Sequence, residues 1–499
     1  MAKAPRRMLA SVPLEIEIRT FGPISRGKFR LKPLTVFVGP NNSGKTFAAT
    51  LAHSIISLRG AYEHPADYVK WVKCELKRQK FRALVSGMEK LIAGANTAET
   101  KIPNKYTNAV QDIAHQHSFE KSLPETIVNG FGASLKKLIR IGQQSSMIKA
   151  KYYIGANIKI DAISPPVVEM GHIDVTYAIK RQQDSVSIYE TSEKIFDKPV
   201  DSVFIDKNVQ EYMNLISRPL RLQKNSGLYW LLHLMKRIEY ARMYLPRSYY
   251  LPATRAGILS AHSPIVLSMI KNARYAVAEL PHEPMPGASS EYLESLVQLG
   301  KYAPFTNGKN GQGMFEEMFG GKLEVQIPKV GLPRIFYRLK GTAIPLNLLS
   351  SSITETAPLQ LFQQGKMSHA NVLVLEEPEA HLHPENQARL AKHIVRLVNS
   401  GVCVLLITHG VYFLEQLSMF VRMSRVTAEE RKELGYAKGD FLEADDVAPY
   451  LFKKNGSSGY AIQAIEHTPD DGISQDEFGR VTEIMYNKEI RIERLISES

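Results

Sequence analysis

The stretch that decides the fold is Gly39-Pro40-Asn41-Asn42-Ser43-Gly44-Lys45-Thr46, which fits the pattern G-x-x-x-x-G-K-[ST]. An apolar run, LTVFV at 34–38, precedes it, and a helical pattern begins near Lys45. Glycines let the backbone wrap closely, so that successive N–H groups can point at one bound anion. The N-terminal end of the following helix adds its positive dipole. The stretch therefore predicts a phosphate-binding loop between a buried strand and a helix.

The last two residues of this loop have specific expected roles. The Lys45 ammonium is expected to reach the β- and γ-phosphates of a nucleotide, and the Thr46 hydroxyl to ligate Mg²⁺. The predicted ligands are therefore ATP and Mg²⁺.

A second apolar run ends in acids: Val372-Leu373-Val374-Leu375-Glu376-Glu377-Pro378-Glu379. This pattern describes a buried strand whose carboxylates follow its last apolar residue. We expect Glu376 to hold Mg²⁺, directly or through water, and Glu377 to polarise the attacking water as general base. Acidic strand ends are common, so this interpretation depends on the loop at residue 39.

A third apolar run, Val404-Leu405-Leu406-Ile407-Thr408-His409, ends in Thr-His. A lone histidine at a strand end is usually structural. On a strand beside the acidic one, His409 would lie near the γ-phosphate and could contact both it and the attacking water. We favour this catalytic role.

Three consecutive serines, Ser350-Ser351-Ser352, precede the acidic strand. By themselves they indicate a helix cap or a loop. At a helix N-terminus, hydroxyls and free N–H groups also form an anion site, so the serines are candidates for contacting phosphate.

The spacing of these segments predicts a divided domain. Glu377 follows Lys45 by 332 residues, and a chain of 499 residues exceeds what one core usually holds. We expect a β-rich N-terminal lobe with the loop at 1–50, a mainly helical insertion with some strands at 51–245, and a C-terminal lobe at 246–499. After residue 371 the pattern alternates strand and helix, which predicts a parallel sheet and an α/β fold class.

Loop, serine signature, acidic strand and Thr-His strand, in that order, resemble the ABC-type ATPases of the RecF and SMC kind. In that family an insertion splits the P-loop ATPase head, and the signature serine of one subunit completes the phosphate site of the other. The resemblance implies that two ATP molecules are sandwiched in a head-to-tail homodimer, or in a higher homo-oligomer.

A closer resemblance is to bacterial ATPases of the overcoming-lysogenization and anti-phage type, including the ATPase subunits of PARIS, Septu and retron systems. The residues that carry it are 375–384 (LEEPEAHLHP), the three serines, and Leu251-Pro252-Ala253-Thr254-Arg255. It covers most of the chain in patches, with a diffuse middle insertion. It implies a sensor or regulatory ATPase that controls a nuclease or toxin partner.

The chain departs from the wider family in two places. Glu376 stands where most ABC proteins have Asp, and Ser351-Ser352 stand where many have Gly-Gly. Both features occur in the defence-type group, so we do not interpret them as inactivation. A glutamine loop has no assignable position.

The C-terminal part suggests no nuclease of its own. Only 90 residues follow His409, which is too few for the TOPRIM nuclease domain of the overcoming-lysogenization enzymes. We interpret Glu443, Asp445 and Asp446 as surface or capping acids, and we expect nuclease activity to come from another protein. His381 and His383, with Glu385, converge poorly for a metal, so a structural or dimer-contact role is preferred.

The net charge of +13 favours polyanionic partners. Basic residues cluster in two stretches, which are either solvated helix faces or nucleic-acid contacts: Lys70, Lys73, Lys77, Arg78, Lys80 and Arg82, and Lys136, Lys137 and Arg140. A DNA-repair or DNA-binding ATPase of the RecF and SMC kind is therefore the alternative function. A nucleotide-gated scaffold with negligible turnover is a third.

Composition and the lengths of the apolar runs indicate whether the chain spans a membrane and in which compartment it lies. The chain has no apolar run of about 18 residues, so no membrane-spanning helix and no membrane partner are predicted. The basic stretch 1–13 is interpreted as a loose tail and not a signal peptide. Two cysteines, Cys74 and Cys403, suggest no disulfide framework, so a reducing cytoplasm is expected.

Overall fold

The computed structural model describes most of the chain, and the stretch 1–13 lies outside the described part. The described residues are 14–57, 65–94, 100–151, 155–161, 167–170, 177–182, 185–190, 202–223, 226–242, 248–274, 285–297, 312–328, 332–365, 372–456, 459–475, 486–493 and 495–496.

The strands, in chain order, are β1 (Glu15–Phe21), β2 (Ile24–Arg30), β3 (Leu34–Val38), β4 (Thr100–Lys101), β5 (Ser145–Lys151), β6 (Gly155–Asp161), β7 (Val167–Met170), β8 (Tyr177–Gln182), β9 (Ser185–Glu190), β10 (Ser248–Leu251), β11 (Lys322–Gln326), β12 (Arg334–Leu339), β13 (Thr342–Pro345), β14 (Val372–Glu376), β15 (Cys403–Ile407), β16 (Val447–Lys454), β17 (Tyr460–Ala464), β18 (His467–Thr468) and β19 (Gly472–Ile473).

The helices are α1 (Lys45–Ile56), α2 (Pro65–Glu75), α3 (Gln79–Ala93), α4 (Asn104–Phe131), α5 (Leu135–Leu138), α6 (Ser202–Leu220), α7 (Gly227–Arg242), α8 (Arg255–Arg274), α9 (Gly287–Val297), α10 (Gln312–Phe319), α11 (Ser351–Gly365), α12 (Pro384–Asn399), α13 (Val411–Arg422) and α14 (Ala428–Glu433).

The chain divides into two compact units. The first, here the loop-bearing unit, consists of the described residues of Pro23–Thr50 and Ser248–Ser499. The second, here the insertion unit, consists of those of Pro13–Gly22 and Leu51–Arg247. Each unit is described by itself below.

The loop-bearing unit contains a mixed sheet with the strand order β10-β14-β15-β3-β16-β17-β2. Strands β10, β14, β15, β3 and β16 run parallel to one another. Strand β17 is antiparallel to β16 and parallel to β2. Helices alternate with the parallel strands along the chain. The α/β fold class predicted from the sequence is confirmed.

The three central parallel strands are buried at every position. Their sequences are LTVFV in β3, VLVLE in β14 and CVLLI in β15, and each residue of the three is buried. Near-continuous apolar runs of this kind are expected where a parallel sheet is covered on both faces. In the register, Glu376 lies beside Ile407, and Ile407 lies beside Phe37. The carboxyl ends of the three strands therefore meet at one edge of the sheet.

Helix α12 shows how the sequence sets a helix boundary beside this edge. His383 is its N-cap and accepts a hydrogen bond from the Glu385 backbone N–H, and Pro384 occupies the first turn. Proline suits that position because its missing N–H would have no intrahelical partner. The buried face of the helix includes Leu390 and Ile394, which belong to the main hydrophobic core.

The insertion unit combines antiparallel strands with a helical core. Its strands form two groups, β1-β5-β6-β7 and β4-β8-β9, whose neighbours pair antiparallel. Buried residues of α2, α3, α6 and α7 form one apolar cluster, which includes Tyr68, Phe81, Met213 and Leu232. Helices α3 and α7 approach closely at Gly227, where a Cβ would lie 2.3 Å from the Val85 carbonyl oxygen.

The region 207–244, which is helical by sequence pattern, contains two helices. The helical pattern at 207–244 corresponds to α6 and α7, with a break after Leu220. Arg221 adopts a left-handed conformation, with φ of 52°. A continuous helix is excluded there because that conformation cannot continue a right-handed helix. Among the described residues, no helix combines the length and the apolar character that crossing a bilayer requires.

Candidate functional site

The loop 39–46 connects β3 to α1 and turns tightly. Gly39 and Gly44 have φ of 140° and 99°, in a region that side chains rarely adopt. A Cβ on Gly39 would lie 2.7 Å from the Phe452 carbonyl oxygen, and one on Gly44 would lie 2.7 Å from Ile24 Cγ1. Both positions therefore need glycine, for space as well as for conformation.

Lys45 folds back over this loop. Its Nζ donates to the carbonyls of Gly39 (2.9 Å) and Pro40 (2.6 Å) and lies 3.3 Å from Ser43 Oγ. Burial lowers the pKa of Lys45 to about 8, against the opposing charges of Glu377 and Glu376. The ammonium is thus mostly charged at pH 7, and it interacts electrostatically with Glu376, the last residue of β14, and with Glu377, which follows it. Thr46, at the start of α1, is exposed.

Glu376 is buried at the end of β14 and is held by the segment that follows β10. Its Oε1 accepts from the Tyr250 hydroxyl (2.8 Å) and its Oε2 from the Ala253 backbone N–H (2.9 Å). The Tyr250 hydroxyl also lies 3.5 Å from Thr50 Oγ1 on α1. Each carboxylate oxygen keeps a lone pair, so Glu376 is oriented but still able to accept a cation or a water.

Glu377 and His409 face each other at the same edge. Their side chains are partly exposed, and His409 Nε2 lies 3.7 Å from Glu377 Oε1. The Glu377 backbone has φ of 41°, an uncommon conformation for a residue with a side chain. Burial lowers the pKa of His409, and Lys45 lowers it further, while Glu377 and a hydrogen bond to the Gly39 backbone raise it. The structure thus brings Lys45, Glu376, Glu377 and His409 together.

Glu379 holds the turn that presents His409. Its Oε1 accepts from the Thr408 hydroxyl, from the His409 backbone N–H (3.2 Å) and from the Gly410 backbone N–H (3.1 Å). Burial raises the pKa of Glu379, and these hydrogen bonds lower it. Glu379 belongs to the acidic motif, but the sequence pattern predicts no role for it.

The three predicted serines lie at the start of α11. Ser350 and Ser351 are exposed and Ser352 is half-buried. The Ser350 and Ser352 hydroxyls lie 3.3 Å apart, and the Ser350 carbonyl accepts from the backbone N–H groups of Ile353 and Thr354. The Ser350 carbonyl thus accepts from two N–H groups of the first turn, while the N–H groups of Ser351 and Ser352 precede the first acceptor that the helix provides. Ser350 and Ser351 therefore face solvent at the N-terminus of a 15-residue helix, with Ser352 half-buried beside them.

Arg255 is a second residue whose role sequence reasoning missed. It lies at the start of α8, is buried, and donates to the backbone carbonyls of both Glu376 and Glu377. Its side chain also pairs with Glu355 on α11. The one feature of the sequence that pointed to Arg255 is its place in the motif at 251–255, which carries the family resemblance but implies no role for this residue.

These residues fit ATP and Mg²⁺. The loop offers a closely wrapped backbone and a lysine whose hydrogen bonds go to carbonyls that phosphate oxygens can replace. A threonine hydroxyl and a carboxylate with free lone pairs are the oxygen ligands that Mg²⁺ prefers. Thr46 and Glu376 would hold the ion.

The sequence also singled out two histidines, His381 and His383, and three acids, Glu443, Asp445 and Asp446. His381 is exposed, with φ of 60°, and His383 caps α12. Among the described residues, no group of three or more His, Cys, Asp or Glu could hold a metal ion. Glu443 precedes a short 3-10 helix at 444–446 that contains Asp445 and Asp446.

Both cysteines are free, Cys74 exposed and Cys403 buried in β15. The basic residues of the first cluster lie on or between α2 and α3 and are exposed: Lys70, Lys73, Lys77, Arg78, Lys80 and Arg82.

Three comparisons relate the chain to known proteins. Residues 290–414 match the family described as AAA ATPase domain. This range contains the serines, both acids and His409, but not the loop at 39–46. No curated protein matches the chain significantly.

Solved structures show remote similarity. An SmcHead bound to the C-winged helix domain of ScpA has 10% identity and a TM-score of 0.40, over 91% of this chain and 98% of that one. The SMC head domain from Thermotoga maritima has 12% identity and a TM-score of 0.30, over 91% and 99%. The recombination mediator protein RecF-ATPrS has 9% identity and a TM-score of 0.32, over 92% and 100%.

Proposed function

We propose that this protein, whose residues 290–414 are similar to an AAA ATPase domain, binds ATP with Mg²⁺ and hydrolyses it. The observation that carries the proposal is the meeting of Lys45, Glu377 and His409 at the carboxyl ends of three adjacent parallel strands. Phosphoryl transfer to water requires mainly positioning and neutralisation of charge. A lysine beside a phosphate loop and a carboxylate paired with an imidazole supply both.

Each residue then has one task. Phosphate oxygens replace the carbonyls of Gly39 and Pro40 as acceptors for Lys45, and their charge raises the pKa of that lysine. Glu377 accepts a proton from the attacking water, with His409 beside it. Thr46 and Glu376 hold Mg²⁺, which neutralises charge on the phosphates.

The test compares the ATP turnover of three forms of the full chain. The wild type should hydrolyse ATP. Lys45→Ala should lose ATP binding, because it removes the ammonium group that lies against the loop's carbonyls, where the phosphates are expected. Glu377→Gln should bind ATP but turn over roughly 10²-fold or more slowly, the usual contribution of a general base. Glu443→Gln, an acid outside the site, is the matched control and should behave as wild type.

A wild type that binds ATP without turnover would instead support a nucleotide-gated scaffold. Equal turnover in the wild type and Glu377→Gln would remove Glu377 from the role of base.

The serines support a second part of the proposal, in which ATP closes a homodimer. They are exposed at a helix N-terminus, which suits an anion supplied by another molecule. The mass in solution should double with ATP, most clearly for Glu377→Gln, which would hold the closed form.

Mixing variants tests whether the serines act on the partner's ATP. Ser351→Glu would repel phosphate, and Lys45→Ala would not bind it, so each alone should be inactive. A mixed dimer pairs the intact serines of one protomer with the intact loop of the other. Recovery of turnover on mixing supports the shared site, and two variants that stay inactive together contradict it.

The partner that the ATP cycle controls is a separate part of the proposal, and two candidates have support. The intact motif at 375–384 supports control of a nuclease or toxin partner in anti-phage defence. The net charge of +13 and the exposed basic residues on α2 and α3 support the alternative, a DNA-binding ATPase.

Duplex DNA and salt distinguish the two partners. If the purified chain binds duplex DNA with an affinity that falls steeply with salt, the DNA alternative is favoured. If it does not, the test moves to a toxin or nuclease encoded beside it, whose toxicity should depend on an intact Lys45.

A further inference from the structure

Arg255 is among the largest fully buried side chains of the protein, with 2% of its surface exposed. It opens α8 directly after the turn that follows β10. A buried guanidinium is costly unless its N–H groups find acceptors. Where those acceptors lie therefore indicates what the residue holds in place.

The acceptors belong to the ends of three segments. Nη1 donates to the carbonyls of Pro252 (3.2 Å) and Glu376 (2.5 Å), and Nη2 donates to that of Glu377 (3.1 Å). Nε donates to the carbonyl of Glu355 (2.9 Å). Nη2 also forms an ion pair with Glu355 Oε2 at 3.2 Å. One side chain thus ties the turn after β10, the end of β14 and helix α11.

The hydrogen bonds from Arg255 to the carbonyls of Glu376 and Glu377 act on the proposed base, Glu377. Glu377 has its uncommon backbone conformation, with φ of 41°, and such a conformation persists only where its surroundings hold it. Its N–H donates to the Ile407 carbonyl (2.8 Å), and its own carbonyl accepts from Arg255. Without Arg255, the peptide after Glu377 could relax and turn the carboxylate away from His409.

The contacts of Arg255 with Glu355 link it to the end of α11 that carries the serines. Glu355 lies one helical turn after Ser351, and Arg255 binds both its carbonyl and its carboxylate. A shift of the serine end of α11 would therefore strain the same guanidinium that holds Glu377. Other hydrogen bonds of that first turn are local, such as Thr354 Oγ1 to the Ser351 carbonyl (3.0 Å).

We propose that Arg255 is a positioning residue that sets the backbone of Glu377 for hydrolysis and couples it to the serine end of α11. The proposal rests on the proposed ATPase function and adds a route between the serines and the base. The N–H groups of the buried Arg255 side chain donate to protein carbonyls and pair with Glu355, so its effect should fall on turnover and spare ATP binding.

The test is Arg255→Lys, measured for kcat, for the KM of ATP and for hydrogen exchange of residues 376–380. Lysine keeps the charge but lacks the planar fork of donors. It therefore cannot bind the Glu376 carbonyl, the Glu377 carbonyl and Glu355 at once. The matched control is Arg396→Lys, because Arg396 also forms a two-pronged pair, with Asp440 (2.7 and 2.9 Å), on α12 of the same unit.

We expect kcat of Arg255→Lys to fall by about tenfold or more, with the KM of ATP changed by less than about threefold, as for an interaction made only in the transition state. Exchange at 376–380 should rise. Arg396→Lys should leave kcat, KM and that exchange as in wild type. Glu355→Gln keeps the carbonyl acceptor and loses only the ion pair, so its kcat should fall less.

The proposal is overturned if Arg255→Lys and Arg396→Lys have equal kcat. It is also overturned if a higher KM of ATP accounts for the lower activity of Arg255→Lys. If Arg255→Lys does not fold, Glu355→Gln decides by the same comparison. A wild type without turnover would overturn the proposed function instead. Hydrogen exchange at 376–380 in Arg255→Lys would then test by itself whether Arg255 holds the backbone of this segment.

Discussion

Glu379 is the residue that holds the turn at His409, since one of its oxygens accepts from Thr408 and from the backbone N–H groups of His409 and Gly410. Glu379→Gln keeps an oxygen but loses the charge that attracts these donors. We expect kcat to fall about tenfold, because hydrogen bonds to charged groups are the stronger ones. Steady-state kinetics would show this, with the exposed Glu443→Gln as control. Equal kcat in both variants would remove Glu379 from this role.

His409 should make turnover depend on pH. Because the pKa of its imidazole is lowered from 6.5, the ring stays neutral at pH 7 and gains a proton only as the pH falls through that lowered value. A charged ring beside Glu377 would stabilise the carboxylate and weaken it as a base. We expect kcat to be level from about pH 8 down to 6.5 and to decline below it.

The pH profile of His409→Gln provides the control for this prediction. Glutamine does not titrate, so the acid-side decline that the His409 imidazole causes should be absent from this variant. A decline in the wild type centred above pH 6.5, or identical profiles for the two proteins, would contradict the assignment.

At the scale of elements, the junction of β3 with α1 depends on Gly39. An alanine there would place its Cβ 2.7 Å from the Phe452 carbonyl oxygen of β16. The loop or β16 must shift, and a displacement of about 1 Å can cost on the order of 10²-fold in kcat/KM. We therefore expect Gly39→Ala to lose most of its kcat/KM for ATP.

Gly341→Ala is the matched control for Gly39→Ala. Gly341 also has a positive φ, 86°, but no atom lies within 4 Å of its would-be Cβ. It should lose about 1 kcal/mol of stability from backbone strain and keep its kcat/KM. If both variants lose kcat/KM equally, strain alone and not the clash with β16 explains the effect.

Elements were predictable where their signal is local. Strands β3, β14 and β15 are each five consecutive residues dominated by apolar side chains. The sequence pattern indicates helix at 207–244, where α6 and α7 lie, but it does not show the break between them. The left-handed Arg221 at that break leaves no mark in hydrophobic periodicity.

At the scale of the whole molecule, two compact units with separate cores predict two thermal transitions. ATP should raise only the transition of the loop-bearing unit, because ligand binding stabilises the unit that it contacts. Scanning calorimetry with and without ATP measures this. A single transition that ATP shifts as a whole would contradict it.

Two matched core variants assign the transitions. Leu232 of the insertion unit and Leu405 of the loop-bearing unit are both fully buried. A buried Leu→Ala change costs about 2–5 kcal/mol. Leu232→Ala should lower the ATP-insensitive transition and Leu405→Ala the ATP-sensitive one.

By itself the sequence determined the α/β class, the phosphate-loop pattern and the apolar strands that end in acids and in Thr-His, since each signal lies within a few consecutive residues. The roles of Lys45, Glu377, His409 and the serines stay predictions until the variants are measured. Only the tertiary structure decided which distant groups meet. Arg255 binds a carbonyl 121 positions away, and Glu379 binds a hydroxyl 29 positions away. No short-range pattern encodes such contacts, because the acceptor of a buried donor depends on how the strands and helices pack.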